Sequence, residues 1–233
     1  MNQQSSLWED AWRRLLANKA AVGGGVILCV LITLAILAPW IAPHSYSYQN
    51  LDLGAQPPSS TFFLGTDTLG RDLFSRILYG ARVSLMVGFV ATGVALVIGV
   101  SWGIIAGYFG GRVDSIMMRI VDVLYGLPFI IFIILLMVIF GRNIWLLFGA
   151  IGAVEWLTMA RIVRGQVLTI KNQEYVLAAQ AMGVSNFQMF RKHIFPNILG
   201  PIAVYATLTI PQVMLLEAFL SFLGLGIQPP MSS

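Results

Sequence analysis

The sequence is poor in charge. Only 10% of its 233 residues are Asp, Glu, Lys or Arg, while 58% are apolar; soluble domains carry about 25% and about 45–50%. That deficit excludes a disordered chain and argues against a soluble globular one. The one cysteine, Cys29, sits inside an apolar run, so no internal disulfide can form and redox chemistry has no foothold. The lysines Lys19, Lys171 and Lys192 follow Asn18, Ile170 and Arg191, and none completes the Gly-Lys-Ser/Thr element of a phosphate-cradling loop. The two histidines, His44 and His193, have no Cys/His cluster around them, which excludes a hydrolytic metal site of familiar type. A Gly-x-Ser-x-Gly nucleophile element is also missing. The chain is therefore not expected to be an enzyme, nor to bind a cofactor of its own.

What is present is long apolar runs. A helix that crosses a bilayer needs roughly 20 apolar residues, and the runs predict five spans, at Val22–Ala42, Leu85–Phe109, Ile120–Phe140, Ile144–Ala160 and Ile198–Leu220. Continuous runs without polar alternation make these helices and not the strands of a barrel wall. The first run is too long for the core of a secretory signal and reads as an uncleaved anchor. With the N-terminus in the cytoplasm, the inner segments hold Arg13, Arg14, Lys19, Arg112, Arg119, Arg161, Arg164, Lys171, Arg191 and Lys192, the outer ones only Arg71, Arg76, Arg82 and Arg142. That ten-to-four bias places the N-terminus inside.

The segments outside the spans carry their own signals. Residues 1–20 read as a cytoplasmic amphipathic helix with Leu7, Trp8, Ala11, Trp12, Leu15 and Leu16 on one face, started by a Ser6/Glu9 capping box and lying on membrane lipid. The remainder, 21–233, is the transmembrane domain. Its outer loop, 43–82, breaks at Pro57-Pro58-Ser59-Ser60 and then predicts a turn and a short helix capped by Thr66 or Asp67. Leu69, Leu73 and Ile77 form that helix's expected buried stripe, and Asp72 and Arg76 an i, i+4 pair. The inner segment 171–197 predicts a helix–Gly–helix knob. Asn172 caps its first helix, Glu174 sits near the positive end, and Gly183 provides a left-handed stop. A Ser185/Gln188 capping box starts the second helix, and Pro196 ends it. The Ala-rich first helix is shaped to seat in a groove of another protein.

Three acids fall within apolar runs: Asp122, Glu155 and Glu217. An acid at mid-bilayer costs roughly 2.5–3.5 kcal/mol on insertion scales. Asp122 can pair with Arg119 or reach the interface. Glu155 and Glu217 either line a polar pathway or hold helices together through buried hydrogen bonds. Pro128, Pro201 and Pro211, with Gly99, Gly103 and Gly107, mark kinks and close packing.

Three stretches point to a family. Glu174-Tyr-Val-Leu-Ala-Ala-Gln-Ala-Met-Gly183 followed by His193-Ile-Phe-Pro-Asn197 resembles the cytoplasmic "EAA" loop of bacterial ABC-importer membrane subunits. Leu177 stands where the general pattern has its acid, and Glu174 lies three residues earlier, as in the peptide-permease version. Leu64-Gly-Thr-Asp-Thr-Leu-Gly-Arg-Asp-Leu-Phe-Ser-Arg76, with Gly80-Ala-Arg-Val-Ser-Leu85, and the stretch Phe219–Pro230 resemble the "C" permease subunits of oligopeptide/dipeptide importers.

The resemblance implies an all-α, polytopic transmembrane bundle of the type I ABC importer permease kind, in the bacterial inner membrane. It would form half of a translocation pathway for oligopeptides or dipeptides. The implied partners are a second, similar permease subunit, two ABC ATPases that hold the ATP and Mg, and an external periplasmic peptide-binding protein; no nucleic-acid partner is expected. Glu174, Tyr175, Ala178, Ala179, Gly183 and Pro196 would couple to the ATPases, and the spans would alternate between inward and outward opening. Glu155 and Glu217 are pathway candidates, with Glu217 expected to meet a peptide's amino terminus. One alternative is the same role for nickel or another small solute. Another is a secondary transporter or channel with Glu155 and Glu217 as an ion relay. Five spans would leave the C-terminus outside, whereas the resemblance implies a sixth, so the chain is expected to lack its last helix.

Overall fold

The computed structural model describes residues 7–141 and 143–226. The Ser6/Glu9 box, Arg142 and the end of the Phe219–Pro230 stretch lie outside them in whole or in part. The described chain is helical: α1 Leu7–Ala17, α2 Lys19–Ile41, α3 Leu73–Phe109, α4 Gly111–Tyr125, α5 Phe129–Phe140, α6 Ile144–Lys171, α7 Glu174–Ala181, α8 Asn186–Met189 and α9 Phe195–Phe222. A π-helical turn, Phe190–Ile194, joins α8 to α9. Among the described residues the only β pairing is an isolated bridge between Thr66 and Asp72. The fold is thus the expected all-α membrane bundle. Four helices are long and apolar enough to cross a membrane, and five segments qualify if the bent pair α4–α5 counts as one span. The chain divides into two compact units, one running to Val83 and one beginning at Ser84.

In the first unit, Asn18 separates α1 from α2 and caps α2, its Oδ1 accepting the amides of Ala20 and Ala21 at 3.1 and 3.2 Å. Trp12, Leu15 and Leu16 of α1 are exposed, and of α2 only Ala35 and Ala38 are buried. The outer loop is held by its own backbone. Gly65 and Gly70 adopt φ of +77° and +66°, and a Cβ there would stand 2.3 Å from Gln56 O and 1.9 Å from Asn50 O. The Thr66–Asp72 bridge keeps 66–72 as a turn, which delays the helix to Leu73. The cap is therefore Asp72, not Thr66 or Asp67: its carboxylate accepts the amides of Phe74 (3.3 Å) and Ser75 (3.1 Å) and the Ser75 hydroxyl (2.6 Å). The later start turns the helix, so Leu78 is buried and Ile77 is 58% exposed. No separate short helix forms, because α3 runs without a break into the second apolar run.

In the second unit, α6 is the central element; Leu147, Phe148, Ile151, Met159, Val163 and Val167 are all buried. Gly99, Gly103 and Gly107 of α3 lie directly on it. A Cβ on each would stand 2.6 Å from Met159 Cβ, 2.5 Å from Ala160 O and 2.9 Å from Val167 Cβ. Small residues at i, i+4, i+8 let two backbones meet, as in membrane helix pairs generally. These glycines give close packing within the unbroken α3. The third run, read as one span from Ile120 to Phe140, is two helices bent by 80°. Pro128 forces the residue before it out of the helical region, and α4 carries Arg112, Asp114, Arg119 and Asp122 on an otherwise amphipathic helix. Pro201 and Pro211 lie inside α9 and do not end it.

Candidate functional site

The inner segment folds as the knob its sequence suggests, with two corrections and one detail that the sequence left open. First, Asn172 closes α6, and Gln173 in extended conformation precedes α7. Second, the two alanines face opposite ways. Ala179 is buried with Val176, in one cluster with Val167 and Ile170 of α6, Met189 of α8, and Ile194; Ala178 is exposed, as are Glu174 and Gly183. Third, Pro196 does not stop a helix. It occupies the second position of α9, where the absent N–H is tolerated, and the preceding π turn supplies the changed register, the Phe195 amide bonding back five residues to Phe190 O.

The stop at Gly183 is a Schellman motif. Gly183 has φ +81°, its amide donates to Gln180 O at 3.0 Å, and the Val184 amide donates to Ala179 O at 3.2 Å. The Ser185 Oγ then accepts the Gln188 amide at 3.4 Å, half of the expected box. The outward surface of the knob is apolar: Tyr175, Leu177, Met182 and Phe187 are 46%, 50%, 78% and 70% exposed.

Two residues to which the sequence assigns no such role tie the knob down. The Tyr108 hydroxyl at the end of α3 donates to Asn186 O at 2.7 Å, and Lys171 Nζ donates to Tyr108 O at 2.7 Å. The Tyr108 ring also meets Phe190 edge-on, centroids 5.8 Å apart. An aromatic at the end of an apolar run beside basic residues is the only sequence signal for this latch.

Further along the second unit, α6 and α9 border a cavity of about 450 Å³ with the end of α4 and the start of α5. Its walls include Leu124, Phe129, Phe132, Leu157 and Leu216, and its polar groups are Tyr125, Glu155, Thr158 and Gln212. Glu155 lies near the middle of the 28-residue α6. The other pathway candidate does not line this cavity. Glu217 is fully buried; its Oε1 accepts the Ser221 hydroxyl at 2.6 Å, and its Oε2 has no hydrogen-bond partner among the described residues. Asp122, expected near Arg119, instead meets Arg161 of α6 at 2.8 Å. The Arg161 guanidinium also lies 4.2 Å from the centre of the Tyr125 ring, a cation–π contact. One turn further along α6, Arg164 grips Asp114 with two bonds, 2.6 Å from Nε and 2.5 Å from Nη2, the bidentate geometry that arginine favours.

Known proteins match these features over nearly the whole chain. Residues 99–233 match the family described as binding-protein-dependent transport system inner membrane component. Residues 6–58 match the N-terminal TM domain of oligopeptide transport permease C. The dipeptide transport system permease protein DppC of Bacillus subtilis (strain 168) is 51% identical, over 98% of this chain and 71% of its own length. The oligopeptide transport system permease protein OppC of Haemophilus influenzae is 49% identical, over 98% and 74%. That of Bacillus subtilis (strain 168) is 47% identical, over 98% and 75%.

Proposed function

We propose a coupling mechanism from the premise that these relatives establish: the chain belongs to the family of binding-protein-dependent transport system inner membrane components, in its oligopeptide/dipeptide permease C branch. It is a multi-pass transmembrane subunit of a peptide ABC importer. Neither the nickel or small-solute reading nor the secondary-transporter reading is favoured by these relatives. In our reading the N-terminus is cytoplasmic, the membrane is the bacterial inner membrane, and the chain supplies half of the pathway. A second, similar permease subunit supplies the other half, two ABC ATPases bind ATP and Mg, and an external peptide-binding protein delivers cargo.

The observation that carries this mechanism is where the knob is attached. It packs on the end of α6 and continues through the π turn into α9, and these two helices also carry Glu155 and Gln212 at the cavity. Glu174, Tyr175 and Ala178 present the face that enters an ATPase groove. Ala179, Gly183 and Pro196 give that face its shape from behind. Closure of the ATPases then displaces α7, and the push passes along α6 and α9 to the cavity walls, changing which side it opens to.

Two substitutions test the lever. Gly183→Pro cannot adopt the positive φ of the Schellman turn, and Ala178→Trp fills the outward face. In the assembled importer each is expected to leave membrane insertion intact and to lower peptide uptake per ATP hydrolysed by about tenfold or more, the loss expected when about 1.4 kcal/mol of docking energy is removed. Normal uptake in both variants removes the lever.

A further inference from the structure

Glu155 and Glu217 look alike in the sequence, two acids within apolar runs, but the structure separates them: Glu217 is buried and Glu155 is half-buried. Glu217 is sealed in the bundle, with one hydrogen bond within its own helix and no place in the cavity lining. Among the described residues Glu155 has no hydrogen bond and no ion pair, although its carboxylate borders a cavity with apolar walls. The nearest cations of α6 are already committed: Arg161 to Asp122 and the Tyr125 ring, Arg164 to Asp114. A half-buried carboxylate on an apolar helix without a counter-charge is costly, and an ammonium ion entering the cavity would relieve that cost through charge-assisted hydrogen bonds. Phe129 and Phe132, which line the same cavity, add aromatic rings that attract an organic cation, and Tyr125, Gln212 and Thr158 offer hydroxyl and amide partners for the ammonium and the backbone that follows it.

Resting on the peptide-importer reading above, we propose that Glu155, with Tyr125 and Gln212, is a recognition site for the free terminal ammonium of a peptide in transit, so that the membrane subunit itself selects for an unblocked amino end. The role expected of Glu217 thus falls to Glu155. The site acts after delivery and is independent of whatever selection the external binding protein applies.

The test uses the complete importer in proteoliposomes, comparing uptake of trialanine with that of N-acetyl-trialanine. Glu155→Gln is expected to lower trialanine uptake by about tenfold, the usual scale for a lost hydrogen bond to a charged group, and so to lower the ratio of trialanine to N-acetyl-trialanine uptake by about the same factor. An unchanged ratio of the two peptides in Glu155→Gln overturns the site. If that variant does not assemble, the wild-type complex decides without the binding protein. Dicyclohexylcarbodiimide labelling of Glu155, read by mass spectrometry, should be blocked by trialanine and not by its acetylated form, and equal protection or none overturns the proposal. A wild-type complex that hydrolyses ATP and moves neither peptide overturns the importer reading itself, a result distinct from loss of the site alone.

Discussion

The two polar segments between spans, the outer loop and the inner knob, solve opposite problems. The outer loop uses its polar groups on itself. Asp67 alone accepts the amides of Leu69 and Arg71, the Arg71 Nε and an Arg76 guanidinium nitrogen, all at 2.6–3.0 Å, and Asp72 is taken up by Ser75 and the cap, with His44 3.5 Å away. The knob buries one face, Val176, Ala179 and Met189, and leaves Tyr175, Leu177, Met182 and Phe187 open. A segment whose hydrogen bonds close internally is built to keep its shape. The outer loop exposes Leu51, Phe63 and Leu64 as well, but the knob sets its open apolar face on helices that pack on α6 and lead into α9, where a partner surface can act on the spans. Substitutions should therefore divide: outer-loop changes should cost local stability, and changes on the knob's open face should cost docking and coupling.

The largest expected effect is in the outer loop. Asp67→Ala removes the acceptor for two amides and two guanidinium nitrogens, and should cost about 3 kcal/mol of local stability, read as faster hydrogen exchange at Leu69 and Arg71. The same contact predicts a pH dependence. Burial pushes the Asp67 carboxyl up, but the amide of Arg71, the Arg71 guanidinium and the amide of Leu69 outweigh it and hold the group below its ordinary value. A carboxyl lowered by folding contributes fully above its unfolded value, about 3.9, and loses that contribution as the pH falls through its folded value. Exchange at Leu69 should accordingly rise in acid beyond its intrinsic rate, and Asp67→Asn should flatten that rise. If Asp67→Ala leaves exchange unchanged and impairs coupling instead, the contrast between the two segments is wrong.

Next comes the exposed face of the knob. Leu177→Asp with Met182→Glu should reduce co-purification with the ATPases by about tenfold or more, roughly 1.4 kcal/mol, since two apolar side chains that a partner surface would partly cover are replaced by charge. Thermal stability of the isolated chain should stay the same, because both side chains are already in solvent. A drop in stability without a change in co-purification would mean that these side chains serve the fold and not a partner.

How much of this was open to a reader of the sequence depends on the range of the interaction. Features set within a few residues are legible: the stop at Gly183, the Ser185 cap, the apolar runs, the Ala-rich helix that becomes α7. The misjudged features turn on partners far along the chain or on small choices of register. Pro196 reads as a stop because its missing N–H is visible, while the π turn that absorbs it is not. Pro128 signals a break, but nothing local gives the 80° that turns one expected span into two helices. Thr66 and Asp67 look like caps until the bridge to Asp72 is known. Asp122 finds Arg161, 39 positions away, and Asp114 finds Arg164 at 50. Likewise the sequence offers Glu155 and Glu217 as equals, and only the positions of Ser221, Gln212 and Tyr125 distinguish them.

The smallest expected effect lies at the boundary between the two kinds of segment. Tyr108→Phe deletes only the hydroxyl that donates to Asn186 O. It keeps the ring against Phe190 and leaves Lys171 its bond to the backbone carbonyl. One neutral hydrogen bond is worth about 1 kcal/mol, so the knob should stay folded and the chain should insert normally. If the knob transmits force as a rigid piece, however, a loosened latch lets α8 yield before α6 and α9 move, and some ATP is hydrolysed without transport. The expected outcome is a two- to fivefold drop in peptide moved per ATP, about the factor that 1 kcal/mol provides, with co-purification of the ATPases unchanged. That pairing separates the latch from the docking face, whose loss lowers co-purification itself. Unchanged stoichiometry in Tyr108→Phe would show that α8 needs no brace from α3, leaving the packing of the knob on α6 and its continuation into α9 to carry the stroke.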